Sequence, residues 1–217
     1  MRVYHFTNLK FGLDDLRRRW LKVARIADLN DPFDFLALGS TRKDVRLVLR
    51  TMRNIMSSSM GLLCFSRCWR NPVQWAHYSD GHRGLCLGFD VPDSLLKRVK
   101  YSNTRPIVDI SVFEQVGDRA RIEFEKLLRV KYDHWRYEQE ERQFVSLKDT
   151  REESGRFFVP FSPILALRNI IVGHRCDISR AKLTEHLGRR IVGVELRKAR
   201  LSFQKFCVVL QRDETQW

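Results

Sequence analysis

The sequence predicts an α+β fold in a single domain spanning residues 1–217, with short strands in mixed sheets and flanking helices. The length of 217 residues is enough for one hydrophobic core and short for two. Hydrophobic residues make up 43% of the chain and charged residues 30%, which is typical of a globular protein. Helix-like segments separate the short apolar runs unevenly, which favours α+β over a doubly wound sheet.

The first half of the chain alternates strand-like runs with amphipathic segments. Asn30, Asp31 and Pro32 mark a turn between two such segments. Asn71 is a good N-cap and Pro72 suits the first helical position, so a short helix begins there. In order, we predict a strand at 2–6, a helix at 13–21, a strand at 22–27, a turn at 29–34, a helix at 41–56, a strand at 61–66, a helix from 72, a turn at 80–81 and a strand at 85–89.

The second half contains one long predicted helix and several short strands. Apolar side chains recur at helical spacing from Phe113 to Leu127, so this helix is expected to end near Lys131. In order, we predict a helix at 113–131, a strand at 143–147, a strand at 169–172, a helix at 179–187 and strands at 192–196 and 203–210.

The predicted helix at 41–56 has two distinct faces. Its apolar face is formed by Val45, Val48, Met52 and Ile55. A second face carries a row of arginines, namely Arg42, Arg46, Arg50 and Arg53. Such a row can follow the phosphate backbone of a nucleic acid, although it is more often only a solvated face.

The chain is strongly basic, with 40 Lys and Arg against 26 Asp and Glu and a formal net charge of +14. This charge favours a nucleic acid or another polyanion as partner, and a well-solvated surface is the alternative.

The five scattered cysteines predict reduced, mostly buried thiols in a cytoplasmic protein, and no metal site has recognisable spacing. The longest apolar stretch contains Pro160 and Pro163 and is too short for a membrane span of roughly 20 residues.

Two groups of histidine and aromatic residues are candidate binding residues. His5 and Thr7 lie at the end of the first strand, where they offer hydrogen-bonding groups at a cleft edge. The alternative for His5 is a core histidine bonded to the backbone. Trp75 and Tyr78 lie three residues apart on a helix and share a face, so they either sandwich a planar heterocycle or belong to the core.

Polar groups near these residues extend the candidate set. His77 and His82 flank the aromatic pair and could lie near a phosphate or a ribose. Glu138 and Glu140 share a face if the strand starts early, because strands have a period of two. Such carboxylates suit a cationic centre, and the alternative is a solvated charge run. The chain has no GxxxxGK[ST], GxGxxG or GxSxG motif.

Several segments occur in an order that resembles a known family. They are YHFT (4–7), LNDPFD (29–34), CFS (64–66), WAHY (75–78), HRGLC (82–86) and WRYEQEER (135–142). They resemble the motifs YHYT, LNDPFE, CFS, WSHYA, HKG and W-x-YE-x-E-x-R of a bacterial family catalogued as a domain of unknown function, number twenty-nine seventy-one. In this chain Asp34 stands where that family has glutamate, and Glu141 stands where an aromatic residue is common.

That family is in turn similar to the ADP-ribosyltransferase fold, especially its DNA-modifying toxin branch. The shared points are a strand-borne histidine near the N-terminus, an Asn-Pro helix start after a strand, and a late glutamate entering a strand. The resemblance implies NAD as substrate and ADP-ribosyl transfer to a macromolecule such as nucleic acid, in phage defence or as a toxin. It implies that His5 holds the adenosine ribose with Thr7 nearby, that Tyr78 or Trp75 stacks on nicotinamide, and that Glu140, or Glu138, bonds the nicotinamide ribose.

Two other functions stay open from the residues themselves. A non-catalytic nucleic-acid or nucleotide-binding module on the same scaffold would account for the net charge and the arginine row. A nuclease would use His77, His82 and the glutamates, and it requires a metal or a histidine base.

Overall fold

A large mixed sheet organises the chain. The structure is a computed structural model that describes residues 1–31, 33–34, 42–106, 122, 126–187 and 193–217. Among these residues the helices are α1 (Leu9–Arg18), α2 (Lys43–Ser59), α3 (Pro72–Tyr78) and α4 (Arg180–Leu187). The strands are β1 (Arg2–Thr7), β2 (Trp20–Arg25), β3 (Met60–Ser66), β4 (Leu85–Asp90), β5 (Lys97–Arg98), β6 (Lys100–Ser102), β7 (Val130–Tyr132), β8 (Glu140–Ser146), β9 (Arg151–Glu153), β10 (Arg156–Pro160), β11 (Ala166–Val172), β12 (Glu195–Leu201) and β13 (Val208–Leu210).

The large sheet follows the order β13-β12-β11-β4-β1-β3-β2-β10-β9, and β8 joins it by pairing with β3 and β5. Strands β11 and β12 run parallel, whereas the other described pairs of this sheet are antiparallel. Strands β6 and β7 form a separate parallel pair. The described residues therefore form a mixed sheet with a few helices, consistent with the predicted α+β class.

Strand β3 is shared between two neighbours on one side. Its start pairs with β2, where Leu62 lies opposite Ala24, and its end pairs with β1, where Ser66 lies opposite Tyr4. Its other side pairs with β8 over the whole of β3. The strands β1 and β2 therefore diverge along β3, and this divergence leaves room for side chains.

Buried apolar side chains cover both faces of the sheet. The main cluster includes Val3, Leu63, Leu87 and Ile170, and residues of α1 and α4 pack into it. A second cluster joins α2 to β3, and a third is centred on Trp75 beside β4 and β11. Strand β4 lies between β11 and β1 in the middle of this sheet, and it is therefore buried along nearly its whole length.

The first predicted helix was placed too late in the chain. Helix α1 begins after Asn8, whose side chain accepts the backbone N–H of Phe11 at 2.8 Å and caps the helix. It ends where Arg19 adopts a left-handed conformation, with φ of 58°. The residues after Arg19 then belong to β2, so the predicted helix at 13–21 was wrong at both ends.

The apolar face of α2 also differs from the prediction. Val45 and Leu49 are the buried residues of this helix, and Met52 packs beside them. Val48 and Ile55 are exposed instead. The real stripe recurs at steps of three and four residues and is rotated from the predicted one.

Other boundaries shifted by a few residues. The strand predicted at 143–147 begins at Glu140. The strand predicted at 192–196 overlaps β12 only at its last two residues, and the one predicted at 203–210 is wrong over 203–207, which form a loop before β13. Lys131 lies in β7 rather than at a helix end. Most of the helix predicted at 113–131 and part of the turn at 29–34 fall outside the described residues.

Candidate functional site

A cavity is lined by residues of β1 and of the second half of β3, where these two strands pair. It has about 550 Å³ of empty space, counting the solvent at its open side. Its lining residues come from β1, the segment after β2, β3, α3, β7, the 3₁₀ turn before β8, and β8. They are Tyr4, His5, Phe6, Leu29, Asn30, Asp34, Cys64, Phe65, Ser66, Gln74, Tyr78, Lys131, Glu138, Glu140 and Arg142.

Arg142 organises the charged wall of this cavity. Its side chain is fully buried and donates to both carboxylate oxygens of Asp34, at 3.0 and 3.1 Å. It also donates to both oxygens of Glu140, through Nε at 2.7 Å and a terminal nitrogen at 3.1 Å. Charge-assisted bonds of this kind fix both partners in position.

Lys131 joins the two glutamates. Its ammonium group donates to Glu138 at 2.6 Å and to Glu140 at 3.2 Å. Burial acts to lower the pKa of Lys131, but the neighbouring Glu140 and Glu138 raise it above its ordinary value. Lys131 is therefore a permanent cation at neutral pH.

The carboxylates differ in their proton affinity. Burial acts to raise the pKa of Glu140, but Arg142 and Lys131 overcome it and lower that pKa to about 2. Burial raises the pKa of Glu138 and of Asp34, with their cationic partners opposing it. Glu140 is thus the carboxylate held ionised most firmly, because two cations contact it directly.

Tyr78 lies against the same carboxylates. Its hydroxyl donates to Glu138 and accepts a hydrogen bond of 2.8 Å from the Asn30 amide. Burial and the Glu138 charge raise the pKa of Tyr78, so its hydroxyl stays protonated. The aromatic ring is therefore tied to the acidic cluster by a bond that depends on Glu138 being an acceptor.

His5 presents one ring nitrogen to the backbone. Its Nδ1 lies 3.1 Å from the carbonyl oxygen of Cys64. Burial lowers the pKa of His5, while the carbonyl opposes this shift. Since a carbonyl only accepts, Nδ1 must carry the proton in the neutral ring, and Nε2 is then an acceptor.

Gln74 supplies a polar group that the sequence did not single out. Its Nε2 donates to the carbonyl of Glu138 at 2.6 Å and to the hydroxyl of Ser66 at 3.0 Å. Within the described part of the chain its buried Oε1 has no hydrogen-bond partner. A buried acceptor without a partner is costly, so a donor on a ligand would stabilise this side chain.

The structure thus brings together four of the predicted site residues, His5, Tyr78, Glu138 and Glu140. The two glutamates meet for a different reason than the one predicted. Glu138 ends a 3₁₀ turn rather than belonging to β8, and Gln139 has a left-handed φ of 47°. Both carboxylates turn to Lys131 through this kink, and not through the period of a strand.

Thr7 and Trp75 do not line the cavity. The Thr7 methyl group packs against Gly12 of α1. Trp75 is fully buried, its ring packs edge-on against Phe6, and its indole nitrogen donates to the carbonyl of Trp69 at 2.6 Å. Trp75 is therefore a core residue, as in the alternative left open above, and has no exposed face for nicotinamide.

The predicted polar neighbours lie elsewhere too. His77 is exposed, and its Nδ1 lies 2.9 Å from the Tyr137 hydroxyl. His82 packs between Trp75 and His174. Neither histidine lines the cavity with the glutamates, so the nuclease arrangement predicted from these histidines is not formed.

The arginine row of α2 is only partly as predicted. Arg42, Arg46 and Arg50 are exposed, whereas Arg53 is half-buried. Arg42 pairs with Asp44 on the same helix. None of the four lines the cavity.

Asp34, Lys131 and Arg142 were absent from the predicted site, although Asp34 and Arg142 lie in segments that carried the family likeness. An arginine two residues after Glu140 on a strand was the available signal, since both must face the same way. Asp34 and Lys131 gave no local signal, because their contacts are made across the fold.

All five cysteines are free thiols, two of them buried and three half-buried. Among the described residues no cluster of His, Cys, Asp and Glu has the geometry to hold a metal ion. The helices found in the described part of the chain are all too short or too polar to cross a membrane.

Comparisons with models of protein families, with curated proteins and with solved structures found no match to this chain.

Proposed function

We propose that the chain is an NAD-dependent ADP-ribosyltransferase of the ADP-ribosyltransferase-like fold that modifies a macromolecule, with nucleic acid as the favoured class of target. One observation carries the proposal: His5, Tyr78 and Glu140 come from three distant segments and line one cavity. The likeness of the sequence motifs to the bacterial family described above supports the same assignment. A role in phage defence or as a toxin follows from that likeness.

The charges of the cavity suit the chemistry of this reaction. In ADP-ribosyl transfer the bond between the ribose C1′ and the nicotinamide nitrogen breaks, and its electron pair leaves with nicotinamide. The ribose becomes cationic, as in glycoside hydrolysis. A nucleophile of the target then bonds to C1′ and loses its proton. Asp34, Glu138 and Glu140 outnumber Lys131 and Arg142 among the lining residues, so the cavity favours a developing positive charge.

The hydrogen-bonding groups of the cavity would each contact a different part of NAD. The Glu140 carboxylate, oriented by Arg142, would accept from the 2′-hydroxyl of the nicotinamide ribose. The Nε2 of neutral His5 would accept from a hydroxyl of the adenosine ribose. The orphan Oε1 of Gln74 would accept from the nicotinamide carboxamide, and the Tyr78 ring offers an apolar face for the pyridinium.

Release of nicotinamide from NAD tests the proposal, with Glu140→Gln as the informative variant. Its matched control is Glu141→Gln, the next residue of the same strand, which bonds Arg98 at 3.0 Å and does not line the cavity. We expect Glu140→Gln to lower turnover by about 10²–10³, the usual cost of one preorganised electrostatic contact. Glu141→Gln should stay near wild-type turnover. Equal activity of both variants, with native near-UV circular dichroism, would contradict the proposal.

A second candidate is a non-catalytic nucleotide-binding module on the same scaffold. It is favoured by the engagement of Glu140, whose two oxygens already accept hydrogen bonds from Arg142 and Lys131. This candidate predicts that NAD or a nucleotide raises the melting temperature of the protein while nicotinamide is not released. Nicotinamide release that depends on Glu140 would rule it out.

A further inference from the structure

A second open region lies at the β13 edge of the large sheet. It is a broad groove of about 1670 Å³, counting its open side. Its walls come from β12, β13, the loop between them, the C-terminal segment, Arg180 of α4 and the loop after β3. It shares no lining residue with the cavity described above.

The groove is lined by an excess of cations. The lining cations are Arg70, Arg180, Arg197, Lys198, Arg200 and Arg212. Among the described residues that line the groove, Asp213 carries the one carboxylate, and this carboxylate accepts a hydrogen bond from the Thr215 hydroxyl. Arg197 also has Glu195 on the rim at 3.5 Å, a pair in which both side chains are about half exposed. The groove is therefore a site of concentrated positive charge in an already basic chain.

Aromatic rings lie among these cations. Phe203 lines the groove with 90% of its surface exposed, and Phe206 of the same loop is fully exposed. The guanidinium of Arg200 lies 4.6 Å from the centre of the Phe203 ring, and that of Arg180 lies 5.3 Å from Trp217. Rings exposed to this degree bury almost no surface against the residues that the structure describes, so they are available to a partner.

We infer that this groove binds single-stranded nucleic acid, with phosphates on its cations and unpaired bases stacked on Phe203. Cations that follow a backbone together with aromatic platforms are the features used to bind single strands. A folded acidic protein or a duplex does not offer exposed planar bases to such rings. RNA and DNA share this chemistry and differ in the sugar, so the test below uses a single strand of each.

The groove suits this partner better than the arginine row of α2 does. The exposed apolar residues of α2 are Leu47, Val48 and Ile55, which are aliphatic and cannot stack on bases. Arg42 is also paired with Asp44. The inference concerns a different surface from the proposed transferase site, and it holds whether or not the cavity acts on NAD.

The test is fluorescence anisotropy of labelled single strands of about 12 nucleotides, as oligo-dT and oligo-rU, without NAD. The charge variant is Arg197→Glu with Arg212→Glu, and its matched control is Arg46→Glu with Arg50→Glu on α2, since all four residues are exposed. The stacking variant is Phe203→Ala, with Phe11→Ala on α1 as control.

Loss of two phosphate contacts should weaken binding roughly 20-fold or more at about 0.1 M salt and reduce the salt slope by about 1.4. Phe203→Ala should weaken binding at least about 5-fold and leave the salt slope unchanged. Both control proteins should bind like the wild type. Tighter binding of either sugar form still supports the inference.

Three results would overturn it. One is an equal or larger loss in the α2 variant, which would move the site to that helix. Another is a Phe203→Ala protein that binds as the wild type does, which would leave only a general polyanion surface. The third is a duplex of equal length bound more tightly than the single strand.

Discussion

Arg142 and Asp34 lie 108 residues apart in the sequence, yet their side chains form two hydrogen bonds at 3.0 and 3.1 Å with almost no access to solvent. Arg142 uses the same guanidinium to hold Glu140. One buried cation therefore ties the segment after β2 to the strand that carries the central carboxylate. The position of Glu140 in the cavity depends on this link.

Removal of the Arg142 side chain should lower the free energy of unfolding substantially. Arg142→Met leaves Asp34 and Glu140 without this buried cationic partner, which typically costs about 3–5 kcal/mol. The free energy of unfolding in urea measures the effect. Arg25→Met is the control because it breaks an exposed pair with Asp28, and exposed ion pairs contribute little to stability. Similar losses in the two variants would mean that the buried network does not stabilise the fold.

This link also marks the limit of prediction from the sequence. The N-cap at Asn71 and the strands β1, β3 and β4 follow from local patterns, because capping and apolar runs act over a few residues. The pairing of Asp34 with Arg142 has no local pattern. Its geometry exists only after β3 has paired with β8.

The errors at α1 and at the glutamates have a common cause. Arg19 and Gln139 both adopt a left-handed conformation without being glycine, and residues of these types give no warning of such a turn. At Arg19 this ends a helix early. At Gln139 it turns Glu138 toward Lys131 although Glu138 is not part of the strand.

Trp75 should act through the core and not through a ligand. Trp75→Ala removes a fully buried ring and should cost about 3–5 kcal/mol of the free energy of unfolding. Phe11→Ala at an exposed position of α1 should change that free energy by less than about 0.5 kcal/mol. Urea titration of both proteins compares them. A Trp75→Ala protein that keeps wild-type stability but no longer binds NAD would restore the stacking role.

The stability of the fold should fall when the solution is acidified below pH 6.5, the ordinary pKa of histidine. Burial lowers the pKa of His5, and it also lowers those of His82 and His174. The unfolded chain therefore binds protons in this window that the folded chain resists, so the free energy of unfolding increases with pH. Each such histidine contributes at most about 1.4 kcal/mol per pH unit.

His5→Asn tests this account. Urea unfolding between about pH 5 and 7.5 should show a shallower pH dependence in the variant than in the wild type, by up to the contribution of one proton. His134→Asn is the matched substitution at an exposed site. Glu140 acts in a separate window, because a pKa lowered from 4.5 to about 2 gives stability that is lost only as the pH falls below 4.5. An unchanged slope in His5→Asn would show that His5 is protonated equally in the folded and unfolded chains.

Tyr78→Phe should shift the pH profile of the proposed reaction without removing the stacking ring. Burial raises the pKa of Glu138, while Lys131 and the hydrogen bond from Tyr78 lower it. Loss of the Tyr78 hydroxyl leaves Glu138 with one donor fewer, so its pKa rises further. If the ionised form of Glu138 is needed, the acid limb of kcat/KM for NAD moves to higher pH. Tyr132→Phe, at an exposed tyrosine outside the cavity, is the control. If the acid limb of kcat/KM stays in place or moves to lower pH, the ionised form of Glu138 is not needed for the reaction. Glu140 is then the carboxylate that acts on the ribose.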